Sequence, residues 1–208
     1  MTSHRPNKAR RNIILGIVVV ALICITAAVL RNQPSFRAFP KRLATVDPGV
    51  LYRSSQPNTR QIEKLVRKYG LRTLLIVREG SSHRVPDEIA FARASGLNAV
   101  KIPVKSRQVI PDEDVRAFFA CVDDAENHPV LIHCSAGRHR TGYLCAMYRI
   151  ERQGWTVEQA IEEMLSFGFD TESQQAVLEQ LRQYQPGRFS MPASQTKKST
   201  NHEAKASP

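Results

Sequence analysis

The residues best suited to chemistry lie in one stretch, His133 to Gly142. Within it Cys134 and Arg140 are separated by five residues. The apolar run 130–132 predicts a strand before the stretch, and residues 143–152 predict a helix after it. In such a unit the loop N–H groups and the helix N-terminus converge on one point, which favours binding of an oxyanion such as phosphate. The same field favours a thiolate at Cys134, and the planar Arg140 guanidinium suits two oxygens of one phosphate.

The loop between these two residues is predicted to line the anion site. We expect Gly137 to supply a backbone conformation that a β-carbon would block. The Thr141 hydroxyl is placed to donate to the sulfur and to help it leave, and His133 is either bonded to the loop or simply packed at the end of the strand. The predicted substrate-binding residues are Ser135, Ala136, Gly137, Arg138, His139 and Thr141.

This stretch resembles the His-Cys-x5-Arg-Ser/Thr signature of the protein tyrosine phosphatase superfamily. Its ending, Gly-Arg-His-Arg-Thr-Gly at 137–142, is similar to the loop of the plant-and-fungal atypical type of the dual-specificity phosphatase branch. The similarity covers about residues 47–184. Four further segments carry it: Tyr-Arg-Ser-Ser-Gln-Pro at 52–57, Gly-Leu-Arg-Thr at 70–73, Ile-Pro-Asp at 110–112 and Asn-His-Pro-Val-Leu-Ile-His-Cys at 127–134.

The resemblance implies a cysteine-phosphatase fold and a two-step reaction. The Cys134 thiolate attacks phosphorus, Arg140 and the loop amides stabilise the transferring group, and water then hydrolyses the phosphocysteine. The mechanism implies no metal and no other cofactor, because the protein supplies the positive field. The implied substrates are phosphotyrosine, phosphoserine or phosphothreonine in a protein, or a phosphoinositide or inositol phosphate.

The general acid that protonates the leaving oxygen has two candidates. A carboxyl group must reach that oxygen from a movable loop upstream of the cysteine. Asp112 matches the resembled Ile-Pro-Asp segment, and Asp114 follows two residues later. Asp112 is also well placed to be the N-cap of a helix, so neither carboxylate need be catalytic.

Several basic residues surround these motifs. Arg138 is expected at the rim of the pocket, although Ser135 stands where lysine is common in phosphatases of inositol phosphates. Lys101, Lys105 and Arg107 either extend a basic rim or belong to a solvated loop.

Two alternative functions stay open: a weakly catalytic module that binds phosphorylated partners, and a sulfurtransferase or arsenate reductase. The latter is disfavoured, since no resolving cysteine lies close to Cys134.

The charge of the chain is concentrated outside its central part. The net charge is +11 over 208 residues, yet residues 43–185 hold 18 basic and 18 acidic side chains. The flanks hold 12 basic residues and one acidic residue. A neutral domain argues against a nucleic-acid partner.

The cysteines fit no zinc-binding pattern and no even disulfide framework. Cys121 and Cys145 are interpreted as buried apolar residues.

The sequence predicts five segments. They are a basic N-terminal tail at 1–12, a transmembrane anchor at 13–30, a linker at 31–46, a catalytic domain at 47–185 and a disordered tail at 186–208. The 18 uncharged residues of the anchor are just long enough to span a bilayer. A cleaved signal peptide and a buried helix are the alternatives. Basic residues lie on both sides of this single-pass span, and the short tail mildly favours an extracytoplasmic catalytic domain.

Strands that alternate with helices predict the fold class. The order favours an α/β fold with a mostly parallel sheet flanked by helices, preceded by the transmembrane helix. The predicted helix starts include Asn58 or Thr59, and Thr156 with Gln159 as a capping box. The signature loop then leaves the carboxyl end of a strand, which is where ligands bind in such sheets.

Overall fold

The computed structural model describes residues 8–32, 38–80 and 84–190. The chain divides into two units, Met1–Ala38 and Phe39–Pro208. In the first unit, helix α1 runs over Lys8–Asn32. Its window Asn12–Val29 has a mean hydropathy of 2.8, and the side chains of that window are exposed. By length and composition α1 is able to cross a membrane, a property it shares with signal sequences.

The second unit carries five strands and six α-helices within its described residues. In chain order they are β1 Ala44–Asp47, β2 Leu51–Ser55, α2 Thr59–Tyr69, β3 Thr73–Val77, α3 Arg84–Ala94, β4 Asn98–Ile102, α4 Asp112–Val122, β5 Val130–Cys134, α5 Arg140–Gln153, α6 Val157–Ser166 and α7 Gln175–Arg182.

The strands form one sheet in the order β1-β2-β5-β3-β4. The pairs β2–β5, β5–β3 and β3–β4 are parallel, whereas β1 pairs with β2 antiparallel. The sheet is therefore mixed rather than purely parallel. The sequence places most of β1 in the linker at 31–46, and the structure corrects this assignment. This strand escaped sequence analysis because it has only four residues, Ala44–Asp47, and one of them is buried.

Helices cover both faces of the sheet. All five residues of β3 and all five of β5 are buried, as expected for central parallel strands. Alternate residues of β3 face opposite ways: Leu75 and Val77 join a core with α4, α5, α6 and α7, while Leu74 and Ile76 join a second core with α2 and α3. This packing holds the carboxyl end of β5 in place.

Two helix starts follow the predicted capping chemistry. The Asn58 side chain accepts from the Gln61 N–H, and the Gln61 side chain accepts from the Asn58 N–H. Thr156 and Gln159 make the same reciprocal pair at the start of α6. Each box satisfies backbone donors that the first helical turn leaves free.

The packed domain continues beyond residue 185. Phe189 is buried and stacks on Phe119 and Tyr184. The expectation of disorder is therefore wrong for residues 186–190, because one aromatic side chain docks this segment on the core. The rest of the expected disordered tail, 191–208, lies outside the described residues, as do residues 1–7 of the basic tail and 33–37 of the linker.

Candidate active site

The loop after β5 has the form that the sequence predicts. β5 ends at Cys134, residues 135–139 form the loop, and α5 begins at Arg140. Among the described residues no side chain caps this helix at His139, so the N–H groups of its first turn are available to the Cys134 sulfur and to a bound anion. Gly137 has φ +69, and a β-carbon there would lie 2.6 Å from the carbonyl carbon of Ser54. Glycine is thus required twice, by conformation and by space.

The sulfur of Cys134 lies inside this loop. The Gly137 N–H donates to Sγ at 3.2 Å. Burial opposes ionisation, yet hydrogen bonds from the Thr141 side chain and backbone, the charge of Arg140 and the Gly137 N–H together lower the pKa of Cys134. The Thr141 hydroxyl is buried and makes no hydrogen bond of ordinary geometry among the described residues, and it acts on the nearby Cys134 sulfur as a donor that favours the thiolate. The geometry favours a thiolate.

Two other arginines hold the loop from outside. Arg42 Nη1 donates to the Ala136 carbonyl at 3.2 Å, and Arg53 Nη2 donates to the Gly137 carbonyl at 3.1 Å. In a trans peptide the N–H points opposite to the carbonyl, so these contacts turn the following N–H groups inward. The Gly137 N–H at the sulfur is one of them.

Arg53 is a buried cation behind the loop. It is fully buried, its Nε and Nη1 have no hydrogen-bond partner among the described residues, and its guanidinium lies 3.9 Å from the ring centroid of Phe167. Arg42 and Arg53 bind adjacent loop carbonyls, and burial, Arg138 and Arg53 lower the pKa of Arg42. Such a cluster favours an anion in the loop. Sequence reasoning placed Arg42 in the linker and found no signal for this contact.

Arg140 begins α5 and is partly exposed. Its Nη1 lies 3.4 Å from the carbonyl of Val104, in the segment after β4. This long contact fixes one end of the guanidinium against that segment. The charge of Arg140 also contributes to the lowered pKa of Cys134, so the two side chains are neighbours.

The remaining loop residues form the rim. Ser135 is exposed, and its carbonyl accepts from the Gln56 N–H at 3.1 Å. Arg138 is partly exposed. His139 packs edge-on against Phe169 and accepts from the Asp170 N–H at 3.3 Å.

Asp170 is a neighbour of the site that sequence reasoning missed. Burial, Arg138, Arg140 and Arg107 lower the pKa of His139 against the opposing effect of Asp170. Hydrogen bonds from Ser173 and Glu172 lower the pKa of Asp170 itself, so its carboxylate stays ionised beside the rim.

The two candidate acids, Asp112 and Asp114, lie in the first turn of α4. Asp112 opens α4, where Pro111 is the N-cap and no side chain caps the helix, so the N-cap interpretation of Asp112 is wrong. Its carboxylate pairs with Arg188 and lines a cavity of about 520 Å³ with Tyr143 and Tyr184. Within the described residues, no hydrogen bond joins Asp112 to the signature loop. Burial and the charge of Glu113 raise the pKa of Asp114.

The other two cysteines of the domain are buried and free. Burial, with a smaller effect of Asp124, raises the pKa of Cys121 to about 11. Burial is also the main cause that raises the pKa of Cys145 to about 11. Both thiols stay protonated at neutral pH, in contrast to Cys134.

A thiolate enclosed by loop N–H groups and guanidinium groups defines the class of cysteine-dependent phosphatases. Residues 38–203 match the model of the Tyrosine phosphatase family. The dual specificity protein phosphatase TpbA of Pseudomonas aeruginosa is 33% identical over 178 residues, 81% of this chain and 78% of TpbA. With the same protein of a second strain, the match covers 62% of the relative.

A plant relative and a yeast structure are also named as phosphatases. Inositol diphosphatase DSP4 of Arabidopsis thaliana is 31% identical over 132 residues, 62% of this chain and 64% of the relative. The core catalytic domain of the PP-IP phosphatase SIW14 from S. cerevisiae aligns with a TM-score of 0.61 and 23% identity, over 79% of this chain and 94% of that domain, and so supports the fold. The chain belongs to the tyrosine phosphatase family, and the expected resemblance to its dual-specificity members is confirmed.

Proposed function

We propose that this chain is a membrane-anchored enzyme that hydrolyses phosphate monoesters through a phosphocysteine at Cys134. The observation that carries the proposal is the position of the Cys134 sulfur at the base of the loop between β5 and α5, where the Gly137 N–H donates to it at 3.2 Å. The lowered pKa of Cys134 agrees with this geometry. A thiolate is the nucleophilic form of cysteine. The surrounding donors suit the charge that develops on a transferring phosphoryl group.

The reaction takes two steps. In the first, Cys134 forms a sulfur–phosphorus bond as the bond from phosphorus to the leaving oxygen breaks, and an acid gives that oxygen a proton. In the second, water attacks phosphorus, loses a proton to the same group, and releases inorganic phosphate and the thiolate. Arg140 and the loop N–H groups bind the phosphoryl oxygens in both steps, and the Thr141 hydroxyl stabilises the departing sulfur.

We assign the acid to Asp112, with Asp114 as the alternative. The Asp112 carboxylate is bound by Arg188, so this pair must open before Asp112 delivers a proton. The pair is partly exposed, and such pairs contribute only about 0–1 kcal/mol. The cost of opening it is therefore compatible with turnover.

The substrates are assigned to phosphorylated molecules that carry several negative charges. Arg42, Arg138 and Arg107 lie at or near the loop, and their charges act on one another or on His139. Such a rim attracts polyanions. Relatives named dual specificity protein phosphatase and inositol diphosphatase support both a phosphoprotein and an inositol phosphate as substrates.

The substrate assignment is tested by turnover of the purified full-length chain. Phosphopeptides, phosphoinositides and inositol pyrophosphates are compared at low and high salt. We expect faster kcat/KM on at least one polyanion than on any phosphopeptide, and a loss of that advantage with added salt. Equal or slower rates on every polyanion would overturn the assignment.

The anchor is assigned to α1, whose apolar side chains are exposed. Large exposed apolar surface is costly in water and favourable in a bilayer. Carbonate extraction of cell membranes tests this: the chain is expected in the pellet, and recovery in the supernatant would refute anchoring. Protease treatment of intact cells then tests the expected extracytoplasmic position of the catalytic domain.

One observation favours a second candidate, a module that binds phosphorylated partners with little turnover. Asp112 is paired with Arg188, and among the described residues it makes no hydrogen bond to the signature loop. If the acid is absent, the loop would still bind a phosphoryl group. Tight phosphopeptide binding without hydrolysis of an aryl phosphate would favour this function.

A further inference from the structure

A cavity of about 520 Å³ lies where α4 begins and α7 ends. Its wall is built from Asp112 of α4, Tyr143 of α5 and the segment after α7 that contains Arg188 and Phe189. Among the described residues that line it, none belongs to the signature loop. Sites for small molecules commonly have volumes of about 300–1,000 Å³. The cavity therefore has the size of a ligand site.

One buried polar group in the cavity wall has no partner. Tyr143 is 2% exposed, and its hydroxyl makes no hydrogen bond among the described residues. Burial, with a smaller effect of the Asp112 charge, raises the pKa of Tyr143, so the hydroxyl keeps its proton and is able to donate. A buried hydroxyl without a partner is unfavourable, and an acceptor on a ligand in the cavity relieves this cost.

Two neighbouring polar side chains of the wall are already satisfied by the protein. The Tyr184 hydroxyl donates to the Glu151 carboxylate. The Gln180 side chain exchanges two hydrogen bonds with the backbone of Ile110, at 2.9 Å and 2.7 Å. Tyr143 is therefore the tyrosine whose hydroxyl is available to a ligand.

The cavity already contains one carboxylate on a guanidinium. The Asp112 carboxylate is bound by Nη2 of Arg188, and the other Arg188 donors make no hydrogen bond among the described residues. The Arg188 and Asp112 side chains are 59% and 34% exposed, and such exposed pairs are weak. Because a guanidinium binds a well-placed carboxylate through two parallel hydrogen bonds, a ligand carboxylate can compete with Asp112 for Arg188.

We propose that this cavity is a binding site for a small organic carboxylate, which Arg188 and Tyr143 hold and which displaces Asp112 from Arg188. One ligand oxygen accepts from the Tyr143 hydroxyl, and the apolar part of the ligand packs on Phe189, which also lines the cavity. A singly charged carboxylate is favoured over a phosphate, because the nearby Asp112 repels additional negative charge.

An occupied cavity leaves Asp112 without its partner. Because we assign the general acid to Asp112, the ligand removes the contact that has to open before proton transfer. The site thus connects the concentration of a small carboxylate to phosphate hydrolysis at Cys134. This consequence rests on the proposed function, whereas binding of the carboxylate needs no turnover.

Binding is tested with the full-length chain labelled with 3-fluorotyrosine, and the probe is benzoate. The chain has five tyrosines, so the fluorine NMR signal of Tyr143 is the one that is missing from Tyr143→Phe. We expect benzoate to shift this signal with a Kd of about 1 mM, an ordinary value for a fragment-sized ligand. Benzamide has the same shape without the charge and should not shift the signal. No saturable shift, or equal shifts with both compounds, would overturn the inference.

Two variants of the ion pair should change benzoate affinity in opposite directions. Arg188→Gln should weaken binding at least about tenfold, because the charge-assisted contact is lost. Asp112→Asn should strengthen binding about threefold to fivefold, because the competing carboxylate is gone. The matched control is Arg182→Gln, which removes an α7 arginine that is also 59% exposed and does not line the cavity. Equal losses in the two arginine variants, or no gain in Asp112→Asn, would overturn the inference.

The connection to activity is tested by kcat on an alkyl phosphate at saturating benzoate. We expect kcat of the wild type to rise about twofold to fivefold, and no rise in Asp112→Asn. An unchanged kcat in a wild type that binds benzoate and is active would overturn the connection to Asp112. A wild type whose Tyr143 signal responds to benzoate but which hydrolyses no phosphate would reject the proposed function and support the binding site.

Discussion

Gly137 packs against Ser54 so closely that a β-carbon on the glycine would lie 2.6 Å from the Ser54 carbonyl carbon. Ser54 belongs to β2, which pairs in parallel with the strand that carries Cys134. The neighbouring strand thus shapes the signature loop. Its backbone leaves room for glycine alone at this turn.

Replacing Gly137 with alanine should therefore disable the site. The methyl group collides with backbone atoms and the φ of +69 becomes strained, so the loop must move away from Cys134. We expect kcat/KM on an aryl phosphate to fall about a hundredfold or more, as when a transition-state donor is lost. The matched control is Gly49→Ala, with φ +75 and no atom within 4 Å, which should cost about 1 kcal/mol of stability and leave activity intact. Equal activity losses in the two variants would contradict this explanation.

The Thr141 hydroxyl is predicted to favour ionisation of the Cys134 thiol. Thr141→Val removes a donor that lowers the pKa of Cys134, so the folded-state pKa rises and the acid limb of the kcat/KM profile moves to higher pH. Hydrogen bonds to charged groups contribute about 1.5–3 kcal/mol. At pH values below the acid limb, kcat/KM should therefore fall at least about tenfold. Thr141→Ser keeps the hydroxyl and should keep the profile. Coincident profiles for the valine and serine variants would rule out this role.

Asp112 is tested by comparing two leaving groups. Asp112→Asn should slow hydrolysis of an alkyl phosphate far more than that of a nitrophenyl phosphate, because only the poorer leaving group needs a proton. Arg188→Ala frees the Asp112 carboxylate. It should raise kcat by less than about fivefold, because an exposed ion pair contributes at most about 1 kcal/mol. A selective loss in Asp114→Asn instead would transfer the role to Asp114.

The Arg42 side chain is predicted to support the signature loop by donating a hydrogen bond to a backbone carbonyl of that loop. Arg42→Ala removes donors to the Ala136 and Phe167 carbonyls, and we expect kcat/KM to fall about fivefold to tenfold. Arg60→Ala removes an exposed arginine of α2 and is the control for the loss of net charge. Similar losses for both variants would show that only the overall field matters.

The part of the site that lies within one local segment could be predicted from sequence. Cys134, Arg140 and Thr141 belong to a strand, a loop and a helix that follow each other directly, and the spacing specifies their geometry. The capping box at Thr156 was predicted for the same reason, and a helix start at Asn58 or Thr59 was predicted without its capping box. Each depends on residues three positions apart.

Contacts between distant segments were not predictable from the sequence. Arg42 reaches a carbonyl 94 residues away, and Arg188 reaches a carboxylate 76 residues away. The fold buries Glu88 of α3 with its Oε1 3.0 Å from Nε2 of His133, 45 positions along the chain. Spacing carries no information about such pairs, because the packing of the sheet brings them together.

The central claim is that Cys134 accepts a phosphoryl group. The most direct measurement is rapid acid quenching of the full-length chain during turnover of an aryl phosphate, followed by mass spectrometry of the peptide that contains Cys134. We predict a fraction of that peptide heavier by one phosphoryl group, absent from Cys134→Ser, which should also lose aryl-phosphate hydrolysis. Undiminished hydrolysis by Cys134→Ser, or phosphate found on another residue, would contradict the account.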